Sequence, residues 1–413
     1  MKIAISVLTP FKVYFVTVVI ALLIFRVVLS MEGFASLPYI RVMYGVLMLL
    51  LFLLLGIKYR LRVGRQSGLF YIFSCFTFIW FGVGVSNANI YVVTDLVYFI
   101  IFLLGYFQGL SLLENTDPDS QWCFGSLYRL SIFLTFAIVF LYFLGVVPYV
   151  PVLVFIASVA LAAYFYRLGH WWYYTLLVVS IVVMISDLNR AFILQVVFVY
   201  SLFAVFTSRE RHRGLFVFFI ILSLLFLIYY NWGEILYILD GSSAKRRILE
   251  TIDIFRFGID PEISISLYQR VYEAKLVYER LGSSWFNIFF GFGFGPVLDM
   301  SYSLDTSVLS SQLMGAATTH NVHFLVPAIL FRFGVIGLAL YAFLLFFAFV
   351  AAFSSLRIED NSSPLVFFAC IYIIGIYVIS LTASSFLFVD PLVGVNAALI
   401  THYLSRLGYK SVL

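Results

Sequence analysis

The chain has 413 residues, 63% of them hydrophobic and 11% charged, with a formal net charge of +5. A soluble domain is about half apolar and about a quarter charged, so the excess must face lipid, where only helices or closed barrels satisfy the backbone. The apolar runs far exceed the ~10 residues of a barrel strand, and the basic residues are spread over short loops and form no single patch, which excludes a barrel and a nucleic-acid partner.

The expected class is therefore an all-α polytopic membrane protein. Lys2 and Lys12 stand at the start of an apolar run over about 11–29 with no small-residue cleavage site after it, which reads as a first membrane helix. Apolar stretches follow over 39–57, 68–85, 91–110, 127–147, 152–167, 171–187, 190–207 and 215–232. After a long interruption come 322–353, broken near Gly334, then 365–387 and 392–405. With ~20 residues per span this makes about twelve crossings. Three parts result: an N-terminal transmembrane bundle over 1–232, a large loop over 233–320 with amphipathic helices, and C-terminal transmembrane helices over 321–413.

Lys and Arg in short loops set orientation. Lys58, Arg60, Arg62, Arg65, Arg167, Arg209, Arg211, Arg213, Arg357, Arg406 and Lys410 fall on one side, together with Lys2 and Lys12. Both termini are expected in the cytoplasm and the large loop outside. By parity the 111–126 loop is also cytoplasmic despite Glu114, Asp117 and Asp119, because acidic residues count little in this rule. Cys75, Cys123 and Cys370 are odd in number and lie in apolar or flanking sequence, so they imply neither a disulfide framework nor a zinc site.

Two features then face outward. One is the turn Ser186-Asp187-Leu188-Asn189-Arg190. Arg190 there is either an interfacial anchor or a ligand for an anion, on a side otherwise poor in short-loop cations. The other is the large loop, far longer than an ordinary connection. Within it Asp260 suits an N-cap and Pro261 the first helical position, which predicts a helix over 262–281 ending at Gly282. At about 100° per residue Ile263, Leu267, Ala274, Val277 and Leu281 form an apolar stripe. Arg270 falls within that stripe, while Tyr272, Lys275, Glu279 and Arg280 lie away from it. A buried guanidinium needs a partner. That partner is either structural, Glu273 or snorkelling to water, or an anion of the substrate, for which its planar fork is suited.

Gly291-Phe292-Gly293-Phe294-Gly295-Pro296 has the wrong glycine spacing for a dinucleotide fingerprint and predicts a tight turn where backbone approaches another surface. Thr318-Thr319-His320-Asn321 closes the loop. Thr318 or Thr319 is expected to cap the next helix, which puts His320 near its N-terminus. His320 there is either a capping-region histidine or a general base, kept neutral by the helix dipole. His323 is a nearby alternative base, but one turn deeper it is expected to pack or to donate to the surroundings of His320, and Arg332, Gly334 and Gly337 mark a break or close packing. No metal-ligand constellation is visible, and Asp299 and Asp305 are not singled out.

The order and sidedness of these features resemble the family of O-antigen polymerases and O-antigen ligases. The Ser186 to Arg190 turn resembles the family's Ser/Thr–Arg signature, with Asn189 before Arg190 in place of the usual serine. Arg270 and the glycine turn resemble its loop arginine and downstream turn. Thr319-His320-Asn321 with Gly334 and Gly337 resembles its His-Asn, Gly-x-x-Gly ending. The resemblance implies a glycosyltransferase-C-like fold in the bacterial inner membrane that transfers glycan from undecaprenyl pyrophosphate at the periplasmic face. It implies no nucleotide sugar, metal or cofactor, and allows a chain-length regulator protein as partner. His320 would be catalytic; Arg190, Arg270 and Asn321 would bind substrate. Polymerisation of lipid-linked repeat units is the first reading and ligation to lipid A–core the second. A flippase or other transporter expects charges deep in the spans, where Asp95 is the main exception here.

Overall fold

Continuous apolar sequence folds into long helices that hide every backbone polar group, and the computed structural model of the protein is mostly helical. It describes residues 38–58, 68–114, 152–167, 265–300, 318–357, 363–381 and 390–408, with isolated positions elsewhere. Arg190 and its turn, the Asp260–Pro261 cap and the apolar stretches 190–207 and 215–232 lie outside the described residues.

The described helices are α1 (Pro38–Lys58), α2 (Gly68–Ser86), α3 (Val92–Glu114), α4 (Val152–Arg167), α5 (Ile265–Leu281), α6 (Trp285–Phe290), α7 (Leu325–Arg357), α8 (Ser363–Ser380) and α9 (Leu392–Arg406). Strands β1 (Leu298–Asp299) and β2 (Thr318–Thr319) pair antiparallel. Among the described residues α2, α3 and α7 are long and apolar enough to cross a membrane, and shorter apolar helices lie at Met43–Lys58 and Pro364–Ser380. Phe78, Ile57 and Val93 are 79%, 75% and 69% exposed. Large apolar side chains this open to the outside fit a lipid surface and would be a liability in water.

Helix α3 is largely buried among the described helices. It packs closely on α9 through small residues: a Cβ on Gly394 would overlap the Phe102 carbonyl, and one on Gly109 would stand 3.1 Å from Ala398 Cβ. Close approach of backbones is how helices associate where lipid supplies no hydrophobic drive. Helix α8 is buried along nearly its whole length between α7 and α4.

The expected break at Gly334 is present: its backbone has φ 63° and ψ −164° inside α7. The kink lets the carbonyls of Phe331 and Arg332 serve the loop, accepting from Phe292 N and Gly293 N at 2.9 Å each. The Gly291–Gly295 turn thus threads between α2, α3 and α7. Gly291, Gly293 and Gly295 have φ of 68°, 77° and 72°, and a Cβ on them would overlap backbone of Arg332, of Gly84 and of Val92 respectively. Phe294, fully buried, wedges between Trp80, Phe99 and Phe333.

The loop helix α5 ends at Leu281 before Gly282, as its sequence predicts. Val277 and Leu281 are buried in a second apolar cluster with Leu298, Met300, Val322 and Phe331, which fastens the loop to α7. Lys275 and Glu279 form an exposed pair at 3.9 Å, on the face expected to be wet. Tyr272 departs from that expectation: it is part-buried against the cluster, and burial, followed by the Glu279 and Tyr268 groups, pushes its phenol above the ordinary 10.0. The expected cap is also corrected. Thr318 and Thr319 are paired in β2 with Asp299 and Leu298, and α7 starts only at Leu325. Thr319 Oγ1 donates locally, to Asn321 O at 3.3 Å.

Gly293→Ala should destabilise the protein by about 3 kcal/mol, through left-handed backbone strain and overlap with α2. Gly82→Ala, whose Cβ would meet nothing within 4 Å, should be neutral or mildly stabilising in its helix. Thermal unfolding of the two variants in detergent checks the contrast.

Candidate functional site

Asp95 stands in the first turn of α3, where a carboxylate is favoured by the helix dipole. Three segments distant in sequence converge on it. Gly295 N donates to Asp95 Oδ2 at 2.9 Å, which ties the glycine turn to α3. Arg332 Nε donates to the same oxygen at 3.0 Å. His320 Nε2 meets Asp95 Oδ1 at 3.0 Å. The side chains of Asp95, His320 and Arg332 are 15%, 16% and 4% exposed, so the cluster is nearly enclosed.

Arg332 extends further. Its Nη2 donates to His320 O at 2.9 Å and to Asn321 Oδ1 at 3.3 Å. One guanidinium thus holds the carboxylate, the histidine backbone and the asparagine side chain in one arrangement. Arg332 lies on α7 just before the Gly334 kink, the same kink whose freed carbonyls receive the glycine turn.

His320 is fixed on every side. Nδ1 is 2.9 Å from Pro296 O, and the ring stacks on Tyr91 with centroids 4.3 Å apart. Pro296 O and the Asp95 carboxylate are both acceptors, so each contact is a hydrogen bond only when the nitrogen facing it carries a proton. Arg332 Nη2 also comes within 3.5 Å of Nε2, longer than the contact to Asp95.

A second histidine–carboxylate pair lies beside the first. Glu273 of α5 is fully buried, and its carboxylate accepts from His323 N at 3.0 Å and faces His323 Nδ1 at 2.8 and 3.0 Å. Gln269 Nε2 donates to it at 3.4 Å. The His323 side chain is 38% exposed, far more open than its carboxylate. Glu273 thereby joins the loop helix to the segment carrying His320 and Asn321.

Of the residues the sequence singled out, His320 and Asn321 are brought together, with Arg332 as their common partner. Arg270 lies part-buried on α5, one turn before Glu273. Glu273, the structural partner considered for Arg270, is engaged by His323. Sequence reasoning missed Asp95 as the hub, Arg332 as its counter-ion and the Glu273–His323 pair. The available signals were the charge of Asp95 and Arg332 within otherwise apolar runs, each of which marks a functional candidate.

Chemically the arrangement offers a fixed donor array, a nearly buried ion pair and one half-open imidazole. Among the described residues no group of three His, Cys, Asp or Glu side chains is placed to hold a metal ion. Comparison with protein-family models and with curated proteins finds no match.

Breaking the buried pair on one side should be costly. Arg332→Met leaves the Asp95 carboxylate without its cation and should destabilise by roughly 3 kcal/mol. Asp95→Asn combined with Arg332→Met removes that unpaired charge while keeping an acceptor for Gly295 N, and should recover part of the loss. A double-mutant cycle on detergent melting temperatures measures the coupling.

Proposed function

We propose that the protein is an O-antigen (surface polysaccharide) polymerase. It joins undecaprenyl-pyrophosphate-linked oligosaccharide repeat units at the periplasmic face of the bacterial inner membrane. In this reading the chain crosses the membrane about twelve times, with both termini cytoplasmic and the 233–320 loop periplasmic. The supporting observation is the Asp95–His320–Arg332 cluster itself: two apolar helices, the glycine turn and the end of the loop meet at one nearly enclosed polar group.

The reaction requires an acceptor hydroxyl to attack the anomeric carbon of the donor sugar while the bond to the diphosphate oxygen breaks. Negative charge grows on the leaving diphosphate, and cations stabilise it in a low-dielectric site. Arg332 is largely committed to Asp95. Arg270 and Arg190 are the cations this reading assigns to the diphosphate, and Asn321, oriented by Arg332, the side chain that positions a sugar hydroxyl. Proton acceptance by His320 requires Nε2 to exchange Asp95 Oδ1 for that hydroxyl.

Asp95 was the feature that most favoured transport. It lies at a helix end and is partnered by Arg332, so it does not form the deep charge relay that a transporter uses. The polymerase reading accounts better for it.

Deleting the gene should leave lipid A–core carrying a single repeat unit on a lipopolysaccharide gel. Bare core with lipid-linked polymer accumulating would assign ligation instead, and an unchanged ladder would refute both. Complementation with His320→Ala should give no ladder while the protein remains in the membrane fraction.

Lys275, at 70% side-chain exposure, reports the side of the loop. In a cysteine-free background, Lys275→Cys should react with a membrane-impermeant maleimide in spheroplasts. Protection until the membrane is permeabilised would refute the periplasmic assignment.

A further inference from the structure

The two histidines at the end of the loop differ in what their ring nitrogens face. His320 turns both nitrogens on protein acceptors, Pro296 O and Asp95 Oδ1. His323 turns only Nδ1 on a carboxylate, that of Glu273, and among the described residues nothing bonds its Nε2. An ionised carboxylate only accepts, so in the neutral ring the proton belongs on Nδ1 and the lone pair on Nε2. The ring is half-open and its carboxylate fully buried.

This is the geometry by which an acid side chain prepares a histidine to act as a base. The carboxylate fixes the tautomer and ring orientation and stabilises the imidazolium that forms, without itself being protonated. Glu273 does more than meet the ring. It also accepts from the His323 backbone N–H at 3.0 Å, so the ring is held by main chain and side chain together. The carboxylate is in turn placed by Gln269 and by the packing of α5 through Val277 and Leu281.

We infer that His323 is the general base of glycan transfer, with Glu273 as its positioning residue and His320 as a fixed member of the Asp95–Arg332 framework. The inference rests on the polymerase reading and assigns its proton. His323 Nε2 takes the proton from the acceptor sugar hydroxyl as that oxygen bonds to the anomeric carbon. The bond from the anomeric carbon to the diphosphate oxygen breaks, and its electron pair leaves on the diphosphate. The imidazolium, facing the Glu273 carboxylate, then releases its proton to water. The loop helix thereby enters the chemistry: α5 supplies the carboxylate, and the segment before α7 supplies the ring.

The test uses spheroplasts of the deletion strain, which in this reading accumulate the lipid-linked repeat unit, carrying the full-length chain or a variant. The wild-type chain should restore polymer; failure to do so would refute the polymerase reading before any histidine is changed. His323→Ala and His323→Gln should slow polymer formation about a hundredfold or more, the scale of a lost general base, at wild-type protein levels in the membrane. Gln retains a donor for Glu273 and controls for a purely structural loss. Added imidazole should restore His323→Ala at least about tenfold and leave His320→Ala unchanged. Glu273→Gln should be slowed and Glu273→Asp slowed less. Full polymer from His323→Gln would overturn the assignment while leaving the polymerase reading intact. So would a His323→Ala variant that imidazole does not rescue, or rescue of His320→Ala in its place.

Discussion

The candidate site depends on a stretch of backbone lying where side chains would not fit. At Gly291, Gly293 and Gly295 the main chain runs against α7, α2 and α3 with φ near 70°. Only glycine combines that conformation with that proximity. The N–H groups of this turn then need acceptors in a setting where water is scarce. They find Phe331 O, Arg332 O, Trp80 O and the Asp95 carboxylate. Two of these carbonyls belong to the turn of α7 interrupted at Gly334, so the kink in one element answers the demand of another. Irregular backbone near a membrane is tolerated where such internal partners exist.

Enclosing charge beside this turn follows the same logic. An unpaired carboxylate at the start of α3 would be expensive to desolvate. Asp95 accepts from Gly295 N and Arg332 Nε at Oδ2, and its Oδ1 faces His320 Nε2, so both of its oxygens are engaged. Arg332 in turn uses Nη2 for His320 O and Asn321 Oδ1. Each group satisfies its neighbour, and fully satisfied polar networks fix a single arrangement where partly satisfied ones do not. The result is rigid placement of the His320–Asn321 backbone, needed before a substrate could be oriented within tenths of an ångström.

Local signals carried much of this into the sequence. The apolar runs at 39–57, 68–85, 91–110 and 322–353 correspond to α1, α2, α3 and α7, and the glycine-rich turn and the Gly334 break are where residue chemistry put them. The end of α5 at Gly282 was legible for the same reason: caps and breakers act within a few residues. What sequence could not deliver was partnership across distance. Asp95 and His320 are separated by 225 positions and Asp95 and Arg332 by 237, and no periodicity links them. Arg332 looked like a packing mark in an apolar run because its carboxylate lay on another helix. The threonines misled for a related reason. Their capping chemistry was read locally, while β1 offered them a ladder from the far side of the loop. The true α7 start at Leu325 lets His320, Asn321 and His323 occupy an irregular segment, where their side chains can point in different directions.

That irregular segment explains how two histidines so near in sequence come to have different chemistry. Within a helix, residues three apart share a face and would meet similar surroundings. Here His320 points into the Asp95–Arg332 framework under Tyr91, and His323 points to the loop helix and Glu273. The first ring faces acceptors at both nitrogens. The second is held at one nitrogen, with its other edge half-open. A group that must accept a proton from a substrate needs a vacant lone pair and a fixed orientation at once. Anchoring by a buried carboxylate supplies the orientation without using the lone pair. The difference between the two rings therefore lies in their environments, set by where α7 begins and by the carboxylate that α5 presents.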